Sequence, residues 1–137
     1  MKAFLDSSAF AKRFIEEDGS EDVESLCFRA SELGLSVICV PEIVSALNRR
    51  LRENLLTRAQ YDVAKKQLLV DVRDADIIQL TPSVLAAAVH VLETNPVRAM
   101  DALHVACALE WKAELFASAD ARQLAAAKCA GLKTLRT

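Results

Sequence analysis

Apolar residues along this chain recur with two periods, and the points where one gives way to the other mark out its elements. Lys2–Leu5 is a short apolar run that ends at Asp6 and leads into Ser7-Ser8-Ala9-Phe10-Ala11, which predicts a buried strand running into a helix. Asp18-Gly19-Ser20 reads as a turn, with Ser20 placed to cap the next helix. In that helix Val23, Leu26, Cys27, Ala30 and Leu33 fall on one continuous face, and Gly34 is expected to end it. Leu35–Val40 is β-branched and apolar on both faces, as a central parallel strand would be. Pro41 then suits a first helical turn, with Glu42 at the helix start and Ile43, Val44, Leu47 and Leu51 facing inward.

Thr57-Arg58-Ala59-Gln60 has the form of a capping box and predicts a helix with Tyr61, Ala64, Leu68 and Val72 inside. Ile77–Leu80 reads as a short strand, and Thr81-Pro82 caps and opens a helix whose Leu85, Ala88, Val89 and Leu92 are expected to face the core. Asp101–Trp111 is apolar almost all round, which predicts a helix buried on most sides. Leu115–Ala117 is a strand ending at Ser118-Ala119-Asp120, and a helix (Ala121–Ala130), Gly131 and a last strand (Leu132–Leu135) complete the pattern. Strands alternating with helices imply parallel strands joined by right-handed crossovers. The expected architecture is α/β: a three-layer α/β/α sandwich with a short parallel sheet of four to five strands, in one domain over residues 1–137.

Composition agrees with a packed domain, since 53% of the 137 residues are hydrophobic and only 3 Gly and 3 Pro occur. A net charge of −2 argues against a protein that grips nucleic acid mainly by coating its phosphates. It leaves room for an enzyme that meets phosphate through a bound cation. Cys27, Cys39, Cys107 and Cys129 have neither C-x-x-C spacing nor a zinc pattern, and are expected to be small buried hydrophobes in a reducing compartment. The start meets a carboxylate before any long apolar run, and no stretch approaches the roughly 18 apolar residues of a membrane span. A soluble, cytoplasmic protein without a membrane partner is expected.

In an open parallel sheet, ligands bind beyond the carboxyl ends of the strands. Asp6, Glu42 and Asp120 each follow a predicted strand, and Asp101 opens the most apolar helix. Each acid alone could be a helix cap or first-turn residue favoured by the helix dipole. Together they are a set of like charges, which raise one another's pKa unless a cation joins them. Oxygen-only donors suit Mg2+ or Mn2+ and not zinc. Metal-assisted phosphodiester hydrolysis is the reaction such a set would perform.

Leu5-Asp6-Ser7-Ser8-Ala9, then Pro41-Glu42-Ile43, then Asp101-Ala102-Leu103-His104-Val105-Ala106-Cys107-Ala108-Leu109-Glu110, and last Ser118-Ala119-Asp120 resemble, in order, the motifs of the PIN-domain nucleases, above all the VapC-type toxins. The resemblance implies an active site of Asp6, Glu42, Asp101 and Asp120 that holds Mg2+ or Mn2+ and cleaves RNA. It also implies a homodimer and inhibition by a small antitoxin protein. The last motif departs from the pattern in carrying Ser118 where Thr is commoner and Leu124 where many relatives have Phe, and a further acid near Asp120 is missing.

Other residues carry weaker signals. Ser8 could orient Asp6, and Ser118 keeps a hydroxyl for hydrogen bonding. Arg49, Arg50 and Arg52, and likewise Lys12 and Arg13, could bind RNA phosphates, although a solvated helix face is the default for such runs. His104, one turn after Asp101, reads as a core or interface histidine rather than a general base. His90, Glu93 and Trp111 read as structural. The alternative to an RNA-cleaving toxin is a catalytically weak module of the same fold that binds RNA or protein. A phosphatase or receiver domain would need acids or a lysine that this chain lacks.

Overall fold

In the computed structural model, which describes all 137 residues, β1 (Lys2–Leu5) lies at the centre of the protein because its neighbours are apolar on both faces. Side chains alternate across a strand. Ala3 and Leu5 therefore point into one core and Phe4 into the other. The sheet has five parallel strands in the order β3-β2-β1-β4-β5, with β2 (Glu32–Ser36), β3 (Asp76–Ile78), β4 (Leu115–Ser118) and β5 (Lys133–Arg136). β1 pairs with both β2 and β4, so Phe4 stands beside Gly34 on one side and Phe116 on the other. The rings of Phe4 and Phe116 stack at 5.8 Å between centroids.

The first core is covered by α1 (Ser7–Phe10), α2 (Ser20–Arg29), α3 (Cys39–Arg52) and α4 (Arg58–Asp71), which contribute Phe10, Val23, Leu26, Ile43, Leu47, Tyr61 and Leu68. The second is covered by α5 (Pro82–Thr94), α6 (Ala99–Glu110) and α7 (Ala121–Cys129), with Val84, Ala88, Val91, Val105, Cys107 and Ala126. This is the three-layer α/β/α sandwich that the alternation of elements predicts. The capping box at Thr57 forms as its sequence predicts, with both of its hydrogen bonds present. No helix is long and apolar enough to cross a membrane.

Several local expectations are corrected. Gly34 does not end α2; it sits inside β2, and α2 stops at Arg29. The reason is tertiary: the indole of Trp111 lies against the Gly34 backbone, where an added Cβ would come within 2.7 Å of the ring. With β2 starting earlier, Cys39 and Val40 fall in the first turn of α3 instead of in the strand. Likewise β3 begins one residue before the expected Ile77 and ends at Ile78. Gly19, at φ +91°, rather than Ser20 is the cap of α2, and the Ser20 hydroxyl donates to the Lys12 carbonyl at 2.9 Å.

On α5 the buried row is Val84, Ala88 and Val91, while Leu85, Val89 and Leu92 are 47%, 52% and 39% exposed. Both rows have helical spacing, so periodicity cannot choose between them. Packing along the alanine-rich α6 does. Of the cysteines, only Cys39 and Cys107 are buried; Cys27 is half-buried and Cys129 is exposed, and all four are free thiols.

Candidate active site

Asp6 stands where β1 ends, its backbone N–H still bonded to the Ala117 carbonyl of β4 at 3.1 Å. It is the N-cap of α1, and its carboxylate accepts from the Ala9 N–H at 2.9 Å. The Ser8 hydroxyl donates to it at 2.8 Å, and the Ser118 hydroxyl donates to Oδ2 at 2.7 Å. Asp6 is only 2% exposed. Burial pushes its pKa up even though the hydrogen bonds from Ser118, Ala9 and Ser8 and the proximity of His104 pull the other way. The two serines also tie the ends of β1 and β4 together. Ser8 Oγ accepts the Ala119 N–H at 3.0 Å, and Ser118 Oγ accepts the Asp120 N–H at 2.9 Å.

Glu42 lies in the first turn of α3. Its Oε1 accepts from the Ser7 hydroxyl at 2.7 Å and meets His104 Nε2 at 2.5 Å. Burial opposes its ionisation, but the hydrogen bonds from His104 and Ser7 outweigh it and lower the pKa. An ionised carboxylate only accepts, which assigns the Nε2 proton to the histidine. Cys39, one turn before Glu42, is a thiol that burial pushes up to about 12, too high to supply a thiolate.

Asp101 is in the first turn of α6, and Asp120 caps α7 by accepting the Arg122 and Gln123 N–H groups at 2.8 and 3.1 Å. The two acids line a common cleft of about 520 Å3 with Pro96, Val97, Arg98, Ala121 and Arg122. Burial raises the pKa of Asp101, the charge of Asp120 raises it further, and Glu42 adds to this. Neither Arg98 nor Arg122 takes part in an ion pair; those pairs involve Arg13, Arg50, Arg58 and His104.

Asp101 therefore feels the charges of Asp120 and Glu42, and Asp6 that of His104, but the four acids do not form a preformed cage. No group of three His, Cys, Asp or Glu side chains is arranged to hold a metal ion. Asp6 is turned onto Ser118, Ser8 and Ala9, and Glu42 onto His104 and Ser7, which leaves Asp101 and Asp120 facing the open cleft. As donors the set is oxygen-only, and the repulsion at Asp101 is of the kind a cation relieves.

The basic residues, for which a solvated helix face is the default reading, do not share one surface. Arg49 lines a cleft with Glu42 and Met100, Arg50 turns to the other side of α3 to pair with Glu17 at 3.6 Å, and Arg52 is exposed. Lys12 is buried and donates to the Asp18 carbonyl, and Arg13 pairs with Glu24 and Asp71 at 3.1 and 3.4 Å, so both serve the fold. Trp111 is structural as expected, donating to Asp76 at 3.0 Å. His90 and Glu93 are exposed on α5.

Sequence reasoning passes over Ser7, the Glu42 contact of His104, and Gln123. Gln123 is buried and its amide donates to the Asp101 carbonyl at 3.2 Å, bracing α6 against α7. The only sequence signal for Gln123 is its place three residues after the Asp120 cap.

The family model for the PIN domain matches residues 3–128. The chain belongs to the PIN-domain family. Among solved structures, this PIN domain is similar to FitAcB from Neisseria gonorrhoeae, at a TM-score of 0.74 and 17% identity over 98% of this chain and 96% of that one. It is also similar to VapC20 from Mycobacterium tuberculosis, described as a sarcin-ricin loop cleaving toxin, at a TM-score of 0.72 and 16% identity over 98% and 99% of the two chains. A third is VapBC-5 from the same organism, described as a member of a family of toxin–antitoxin systems, at a TM-score of 0.63 and 19% identity over 99% and 98%. At these identities the likeness is one of fold. A search of curated proteins finds no match.

Proposed function

We propose that this PIN domain is a metal-dependent endoribonuclease, the toxin of a toxin–antitoxin pair, that hydrolyses RNA phosphodiester bonds at the edge formed by Asp6, Glu42, Asp101 and Asp120. The observation that carries the reading is the pairing of Asp101 with Asp120 in an open cleft, with Glu42 near enough for its charge to act on Asp101. Gathering like charges is unfavourable without a partner, and the charges of Asp120 and Glu42 add to burial in raising the pKa of Asp101.

Asp101 and Asp120 would hold Mg2+ or Mn2+ on the open side, with Asp6 and Glu42 as the further donors. When bound, the ion supplies Lewis-acid polarisation of the phosphate and lowers the pKa of water. The protein's own contribution is placement. Ser118, Ser8 and the Ala9 N–H hold the Asp6 carboxylate in one orientation, and Gln123 braces the backbone of Asp101. Arg98 and Arg122, unpaired in the same cleft, give the flanking phosphates of an RNA strand two cationic contacts.

The partners that go with this reading are an RNA substrate, an antitoxin protein and a second copy of the chain. Toxin–antitoxin assembly in the structural relative VapBC-5 supports the antitoxin. The deciding experiment is incubation of a mixed RNA pool with Mg2+, Mn2+ or EDTA, wild type beside Asp101→Asn. Metal-dependent cutting that the variant lacks establishes the nuclease. Folded wild type that binds RNA yet cuts nothing under any metal would move the assignment to an RNA-binding module.

A further inference from the structure

His104 is 2% exposed on a helix whose neighbouring positions Ala102, Val105, Ala106, Cys107 and Ala108 are all buried. Its ring meets Phe4 edge-on at 6.5 Å. An imidazole in such surroundings is costly unless its nitrogens find partners. Here only one does. Nε2 lies 2.5 Å from Glu42 Oε1 and 3.2 Å from Ser7 Oγ, whereas Nδ1 is buried with no hydrogen-bond partner at all.

That asymmetry separates two roles. A histidine kept for the core would satisfy both nitrogens or be replaced by an aliphatic side chain, which fills the same space without a desolvation cost. The polarity of His104 is spent entirely on Glu42 and Ser7, which belong to α3 and α1. Glu42 Oε1 receives both bonds, and Oε2 receives none.

We propose that His104 is the positioning residue of Glu42: it holds Oε1 through Nε2, with Ser7 as the second anchor, so that Oε2 is presented to the acidic edge in one fixed orientation before substrate arrives. His104 does not itself touch the reacting atoms in this scheme. The inference rests on the reading of Glu42 as part of the nuclease site, but the positioning can be measured apart from it.

The test compares His104→Leu, which keeps bulk and removes the donor, with His104→Gln, whose amide nitrogen can reach the Nε2 position. In metal-free protein at one pH, the 13C carboxyl resonance of Glu42 is expected to move and broaden in His104→Leu and to stay near its wild-type position in His104→Gln. His104→Leu loses the bond to Glu42 as well as the unsatisfied Nδ1, so melting temperature is recorded for each variant to establish that it is folded. Calorimetric titration with Mn2+ alone should then show about 10- to 100-fold weaker binding in His104→Leu, as for other residues that orient a ligand, with recovery in His104→Gln. An unchanged Glu42 resonance in His104→Leu, or a glutamine variant that behaves like the leucine one, overturns the proposal. If the resonance responds as expected but wild type neither binds Mn2+ nor cuts RNA, the positioning stands and the nuclease reading fails.

Discussion

The Ser118 hydroxyl donates to Asp6 Oδ2 at 2.7 Å across 112 residues of sequence, joining the ends of β4 and β1 at the acidic edge. A serine has one hydroxyl proton. The 3.3 Å approach of the same oxygen to Gln123 Oε1 is therefore the weaker claim on it. A charge-assisted bond of this kind contributes about 1.5–3 kcal/mol. Ser118→Ala is expected to destabilise the protein by that amount in urea denaturation, and Ser118→Thr to restore most of it. Equal stability of the alanine variant and wild type would show that the bond does not hold Asp6.

Asp6 and Asp101 release their protons less readily in the folded protein than at the ordinary value of 3.8. Folding favours their protonated forms, so the stability they contribute is complete below that value and is lost as pH rises through the higher folded one. Glu42 behaves oppositely: its contribution is present above the ordinary 4.5 and is lost as pH falls through the lowered folded value. Metal-free wild type is therefore expected to lose stability relative to Asp101→Asn as pH climbs from about 4 to about 7. Urea midpoints measured across that range check it; a gap between the two proteins that does not change with pH contradicts it.

Arg98 and Arg122 share the cleft with Asp101 and Asp120 but pair with neither. Replacing either by alanine should raise KM for RNA with little effect on kcat. It should also make the slope of log affinity against log salt shallower, by about 0.7 for each single-strand phosphate that is no longer neutralised. Arg29→Ala, on the exposed side of α2, is the control. Identical salt slopes in all three variants would remove these arginines from the RNA path.

Gly34 stands in β2 with the Trp111 ring against it. A methyl group there must displace the indole, so Gly34→Ala is expected to cost about 1–3 kcal/mol, as other overpacked sites do. Combining it with Trp111→Leu should recover part of that loss, which a double-mutant cycle reads directly. Strictly additive effects would mean that the indole is not what excludes the side chain.

The order of strands and helices, the capping box at Thr57 and the placing of Asp6, Glu42, Asp101 and Asp120 at the starts of helices were legible from the chain alone. These features are set by neighbours a few residues apart: side-chain period, cap chemistry and proline geometry. The family motifs are legible for the same reason, being runs of adjacent residues.

What tertiary structure decided lies at longer range. Which row of α5 faces inward depended on α6, because both rows are apolar. Whether Gly34 ended a helix or lay within a strand depended on Trp111, 77 positions away in the numbering. The partner of His104 lies 62 residues off, and the three arginines of α3 separated because a helix turns them to different sides. Sequence by itself determined the order of the elements and the family to which the chain belongs, because both are written in local pattern. Only the packing of the two helical layers on the sheet decided which polar groups meet, since a meeting of distant residues has no local signature.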